Sequence, residues 1–234
     1  MTAPPSALLT DLYQLTMMQG YWSSGMFHRR ACFDYFFRST PFGGGYVISA
    51  GTEEVLEFFA RLRFTDAELS YVKSTGSFGD EFLGHLARMR FACDVDGPPE
   101  GTPVFPREPV IRVTGPLGQC QIVETALLNV MNFQSLIATK ASRVTSQAGT
   151  DSVMEFGLRR AQGPDGGVSV ARAAYIGGCE STSNVLAGQR YGIPVTGLVV
   201  NRVLPPEADG AFLARRRERE ASYLAMIEDR LGGL

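Results

Sequence analysis

Residues 153–184 read VMEFGLRRAQGPDGGVSVARAAYIGGCESTSN, and this stretch narrows the possible folds more than any other. It opens on a short apolar segment, residues 153–156, of a length that suits a buried strand. Arg159 and Arg160 follow, then a Gly/Pro/Asp loop at residues 163–167. A helix-like segment covers 168–174, and a second apolar run, 173–176, ends in Gly177-Gly178 and Ser181-Thr182-Ser183-Asn184. The pattern predicts strand, loop, helix, strand. In an α/β barrel, ligands sit at the carboxyl ends of the strands. Guanidinium groups, glycine turns rich in backbone N–H and small hydroxyls at such ends suit a phosphorylated ligand.

The flanking sequence predicts more elements of both kinds. Thr10-Asp11 precedes an amphipathic helix running to about Gly20, on which Tyr13 reads as a core aromatic. Residues 30–37 and 46–50 read as strands joined by a hairpin turn at Pro41-Phe42-Gly43-Gly44-Gly45, which lacks the Gly-Lys-Ser/Thr of a nucleotide P-loop. Residues 52–63 form a helix capped by Thr52, with Val55, Leu56, Phe59 and Leu62 on its inner face. Thr65 and Glu68 spell a capping box. Residues 78–89 give a helix with Phe82, Leu83, Leu86 and Met89 inward and His85 beside that stripe. Residues 91–117 alternate short strands with Pro/Gly turns, a compact β module closing a first domain. Residues 121–137 are then a long apolar helix flanked by Lys140 and Arg143, cations that suit a helix C-terminus.

Net charge is −2 over 234 residues, which gives no global electrostatic case for nucleic acid or an anionic membrane. No apolar run is long enough to span a bilayer. The start, MTAPPSALL, lacks the basic and apolar regions of a signal peptide, so a cytoplasmic protein is expected. Cys32, Cys93, Cys120 and Cys179 form no CxxC pair, so no metal site is predicted, and they read as buried, reduced thiols.

The strings EFGLRRAQGPDGG, YIGG and TSNVLAG resemble nicotinate phosphoribosyltransferase. So do LLTDLYQLTMMQGYW, FDYFFRSTPFGGGYVISAG, GPLGQCQIVETALLNVMNFQSLIATKASRV and YGIPVTG, in the same order, over about residues 6–197. The resemblance implies an α/β fold: an α+β N-terminal sandwich (1–115), then an incomplete, irregular α/β barrel (116–197), with 198–234 a family-atypical tail. It implies an enzyme of NAD biosynthesis that forms nicotinate mononucleotide from nicotinate and phosphoribosyl pyrophosphate, with ATP and Mg²⁺ taking part. In the similar nicotinamide phosphoribosyltransferases the pyridine ring is stacked between two aromatics, one donated by the partner subunit. Carried over by motif, these are Phe156 in EFGLRR and Tyr13 in TDLYQ, with Asp11 nearby, which implies a homodimer. Arg159 falls at the family's arginine on the nucleotide phosphate, and Ser183 at the residue that recognises the pyridine substituent. Arg143, in TKASRV, lies in a segment that the family also shows near phosphate.

After YGIPVTG the resemblance breaks. Asn201 stands where the family has the histidine that becomes phosphorylated from ATP. Asparagine accepts no phosphoryl group, so no catalytic residue is assigned and ATP-coupled turnover is expected to be impaired. A catalytically inactive fragment that pairs with another subunit is the alternative. The tail, GLVVNRVLPPEADGAFLARRREREASYLAMIEDRL, is similar to the C-terminal part of arsenite-transporting-type P-loop ATPases, without a Walker A sequence.

Overall fold

A computed structural model describes residues 6–197. Asn201 and the tail similarity lie outside the described residues. The fold is α/β: an antiparallel sandwich region, then the first parallel strands and helices of an open barrel.

Helix α1 (Leu12–Ser23) starts after Asp11 and buries Gln14, Leu15 and Met18. Tyr13 is not on that buried face; it is 45% exposed. Strand β1 (Arg30–Tyr35) pairs with β5 (Ile111–Pro116), which also takes β3 (Asp94–Asp96), all antiparallel. β5 alternates: Ile111 and Val113 point into the core, while Arg112 points out and forms a two-pronged pair with Asp34 at 2.8 and 3.1 Å. Strand β2 (Val47–Ile48) pairs instead with β4 (Pro103–Val104).

The predicted hairpin is therefore absent, because β1 and β2 belong to different sheets. The glycine-rich link is a 3-10 turn, Pro41–Gly43, with Phe42 at φ 59°. Within residues 91–117, β3 and β5 do pair with each other, but β5 also takes β1 and β4 pairs with β2, so this stretch completes sheets shared with earlier strands rather than a module of its own. Short runs advertise strand character but not a partner distant in sequence.

Helix α2 (Thr52–Arg61) is capped by Gly51, at φ 105°, rather than by Thr52. It buries Phe58 and leaves Leu56 exposed, so its inner face is Val55, Phe58, Phe59. Helix α3 (Asp66–Ser74) carries the predicted Thr65–Glu68 capping box. Helix α4 (Asp80–Arg88) buries Phe82, Leu83 and Leu86 as read. His85 stacks on Trp22 at 4.2 Å between ring centroids. Phe27, Phe59, Phe82, Leu86, Ile111, Ile122 and Met131 lie in the main core.

The long helix is two: α5 (Leu117–Ile122) and α6 (Glu124–Ala148). Lys140 and Arg143 lie within α6, since that helix continues to Ala148. α5 sits tight on the core: a Cβ at Gly118 would fall 2.1 Å from the Phe27 ring. Strand β6 (Met154–Glu155) runs parallel to β7 (Ser181–Thr182), and Thr182 bridges in parallel to Val195.

Helix α7 (Gly163–Ile176) corrects two readings. Residues 163–167 are its first turn, with Pro164 at a position where a missing N–H costs nothing. Residues 173–176 are its last turn, not a strand. A run of small apolar residues has no period that separates strand from buried helix. α7 packs on α6 through alanines, and a Cβ at Gly177 would lie 2.4 Å from the Ala138 carbonyl. Helix α8 (Val185–Tyr191) follows, capped by the Asn184 side chain. Of the thiols, Cys120 and Cys179 are buried; Cys32 is exposed and Cys93 half-buried, against the expectation of four buried cysteines.

Candidate functional site

The parallel register sets Glu155 opposite Thr182. The next residues, Phe156 and Ser183, emerge side by side at the carboxyl ends of β6 and β7. The Ser183 N–H donates to the Glu155 carbonyl at 3.0 Å, which fixes the two chain ends together. Below them Glu155 is buried, and its carboxylate braces both turns. One oxygen accepts the Gly157 N–H; the other accepts the Thr182 hydroxyl at 2.6 Å. The Thr182 hydroxyl oxygen accepts the Asn184 N–H at 3.0 Å, and the Asn184 amide donates to the Gly167 carbonyl at 3.1 Å. A Cβ at Gly157 would lie 2.7 Å from a Glu155 carboxylate oxygen, so a larger residue there must displace that carboxylate. Arg159 and Arg160 follow on a single 3-10 turn, Leu158–Arg160, both exposed. The site thus offers an aromatic face, a small hydroxyl and guanidinium groups at the end of a parallel sheet.

Asp11 and Tyr13 lie elsewhere. They line a 470 Å³ groove with Glu124, Thr125, Leu128, Asn129, Asn132, Phe133 and Leu136. The Thr125 hydroxyl donates to Asp11 at 2.9 Å and contacts Gln14 at 2.8 Å. Partial burial, and then Glu124 beside it, raise the Tyr13 hydroxyl above its ordinary range, so it is a neutral phenol at pH 7. Neither Phe156, Arg159 nor Ser183 lines this groove.

Arg143 forms a third place. It lies 18 residues beyond Thr125 on α6, about 27 Å along a helix rising ~1.5 Å per residue. Its guanidinium donates to the Phe42 carbonyl at 2.7 Å, and both it and Lys140 sit 6.0 Å from the Phe42 ring centroid. Thr145 donates to the Gly177 carbonyl, below the start of β7. This end of α6 therefore lies toward the amino-terminal side of the strands, away from Phe156 and Ser183. Within one chain Phe156, Arg159 and Ser183 share the sheet end, while Asp11–Tyr13 and Arg143 do not join them.

Sequence reading overlooked Glu155 and Arg172. Arg172 is buried in α7 and bonds to Glu53, to Glu100 at 2.6 and 3.0 Å, and to Gln134 at 3.3 Å. Burial disfavours the Glu100 carboxylate, yet the Arg172 hydrogen bonds and charge overcome this and hold it below the usual glutamate range. The signal for both was a lone charge inside an apolar run: VMEF and VARAA. Among the described residues, no three His, Cys, Asp or Glu side chains converge to hold a metal ion.

The family profile described as nicotinate phosphoribosyltransferase (NAPRTase) N-terminal domain matches residues 8–132. A nicotinate phosphoribosyltransferase of Mycobacterium tuberculosis, pncB2, is 45% identical over 195 residues, 83% of this chain and 42% of that protein. The Bacillus subtilis nicotinate phosphoribosyltransferase is 44% identical over 191 residues, 82% of this chain and 39% of that protein. Among solved structures, human nicotinic acid phosphoribosyltransferase superposes with a TM-score of 0.76 at 40% identity, covering 85% of this chain and 42% of that one. The chain spans about two-fifths of the length of these relatives.

Proposed function

The chain belongs to the nicotinate phosphoribosyltransferase family, and from that premise we propose that its β6–β7 end binds nicotinate and phosphoribosyl pyrophosphate for nicotinate mononucleotide formation. The observation that carries this reading is the Glu155–Thr182 register, which sets Phe156 and Ser183 adjacent at a strand end. Transfer requires the pyridine ring held flat and aimed at the anomeric carbon, so that attack is in effect unimolecular. Phe156 supplies an aromatic face. Ser183 offers a hydroxyl to the ring's carboxylate. Arg159 pairs with phosphate through its planar fork. Arg160 is its neighbour in sequence and is not assigned.

Tyr13 and Asp11 complete the site from a second copy, since their groove is separate from Phe156 in one chain. A homodimer is therefore part of the reading. Arg143 is a candidate phosphate contact, although within one chain its guanidinium donates to the Phe42 carbonyl. The division at 1–115, 116–197 and 198–234 belongs to this proposal, as does a cytoplasmic setting. Among the described residues, no helix is long and apolar enough to cross a membrane. Mg²⁺ has no protein cage among the described residues and would arrive on substrate phosphates, as that ion prefers. ATP coupling is impaired, because Asn201 replaces the family's phosphate-accepting histidine. That residue also supports the second reading, an inactive fragment that pairs with an intact transferase subunit. The similarity of the tail to arsenite-transporting-type ATPases supplies no activity here.

The test measures nicotinate mononucleotide formation with and without ATP, alongside thermal shift with nicotinate and phosphoribosyl pyrophosphate. The reading expects a shift that Arg159→Ala abolishes, and product unstimulated by ATP. A chain that neither ligand stabilises has no formed site; strong ATP stimulation contradicts the role given to Asn201.

A further inference from the structure

Cys93 and Cys120 point their sulfurs at each other across 3.9 Å. They come from segments 27 positions apart, and the contact is built from both sides. The Ala92 N–H donates to the Gln119 side chain at 2.7 Å, which ties the strand leading into β3 onto α5. Gly115 opens the space for the thiol: a Cβ there would lie 2.5 Å from the Cys93 sulfur. Cys120 is buried with its sulfur 3.7 Å from the Val113 carbonyl, whereas Cys93 is half-buried and can meet a small solute. The remaining thiols have no such neighbour: Cys32 contacts the Thr114 hydroxyl, and Cys179 is buried under α6 and α7.

We infer that Cys93 and Cys120 form a reversible dithiol–disulfide pair, a modification site that an oxidant of the peroxide class closes and a thiol reductant reopens. Cys93 takes one oxygen as the peroxide O–O bond breaks, giving a sulfenic acid and releasing water or an alcohol. The Cys120 sulfur then attacks the Cys93 sulfur; the S–S bond forms, the S–O bond breaks and a second water leaves. The two thiols lose two electrons and the peroxide gains them. The contact with Cys120, and then burial, raise the Cys93 thiol, while the same contact lowers Cys120 and favours the thiolate, the form a resolving sulfur needs. The closed bond ties residues 91–93 to α5, the helix that packs on α1 and leads into α6. This inference is independent of the transferase reading.

The test treats the reduced, folded chain with hydrogen peroxide, alkylates the remaining thiols under denaturing conditions and maps the peptides by mass spectrometry. The expected result is one crosslink, Cys93 to Cys120, with loss of two hydrogens, reversal by dithiothreitol, and Cys32 and Cys179 still alkylated. Cys32→Ser keeps the crosslink, and Cys93→Ser, at a half-buried position, removes it. Peroxide that instead drives Cys93 to sulfinic acid with Cys120 free, or bonds scattered over Cys32 and Cys179, overturns the pairing.

Discussion

Glu155 shows how one buried carboxylate sets the shape of the candidate site. It accepts from Gly157 and from Thr182, so each turn leaving the sheet is fixed to the other. Thr182→Val keeps the shape and removes the donor, leaving a buried carboxylate oxygen short of a partner. The expected loss is about 1–3 kcal/mol, read from urea unfolding. Gly177→Ala is expected to cost about as much, because the new Cβ meets a backbone carbonyl that cannot rotate away. The positions of Phe156, Arg159 and Ser183 just after β6 and β7 were legible because each lies in a motif adjacent to its strand. Glu155 and Arg172 were not, since a charge inside an apolar run states only that it is unusual. Its partners, Thr182 for one and Glu100 for the other, are set by packing between elements distant in sequence.

Among the elements, α7 is joined by charge to α2 through Glu53 and to the turn before β4 through Glu100. The Glu53 side chain is 67% exposed, so its pair with Arg172 contributes little. The Glu100 side chain is only 18% exposed, and that pair carries the joint. Arg172→Ala strands the Glu100 charge and is expected to cost about 3–5 kcal/mol, a large share of the roughly 5–15 kcal/mol of an ordinary domain. Arg172 lowers the folded-state value of Glu100. Its contribution is therefore full above the ordinary glutamate range and is lost as pH falls through the depressed folded value. Unfolding across pH 7 to 3 checks the sign: Glu100→Gln is expected to flatten the acid limb and narrow the gap to the parent as pH drops. Helix identity was largely legible, as α3 and α4 show through the capping box and the inward Phe82, Leu83 and Leu86. Strand pairing was not: β1 and β2 look like a hairpin in sequence, yet each bonds to a strand more than fifty residues away.

At the scale of the whole molecule, the Tyr13 groove and the Phe156 strand end are separate places on one chain. The exposed Leu12, Tyr13, Met17 and Leu136 give the groove side an apolar surface suited to a second copy. Sedimentation velocity is expected to show a dimer that Met17→Asp shifts toward monomer. The central claim is that two copies build each site, and mixed variants test it most directly. Calorimetry with nicotinate should find no binding to Tyr13→Ala alone or to Phe156→Ala alone. After the two variants exchange subunits, half of the dimers are mixed and each holds one intact site, so about a quarter of the parent's binding capacity should return. Binding by either variant alone at the parent's affinity, or none restored although mixed dimers form, would contradict a site shared between copies.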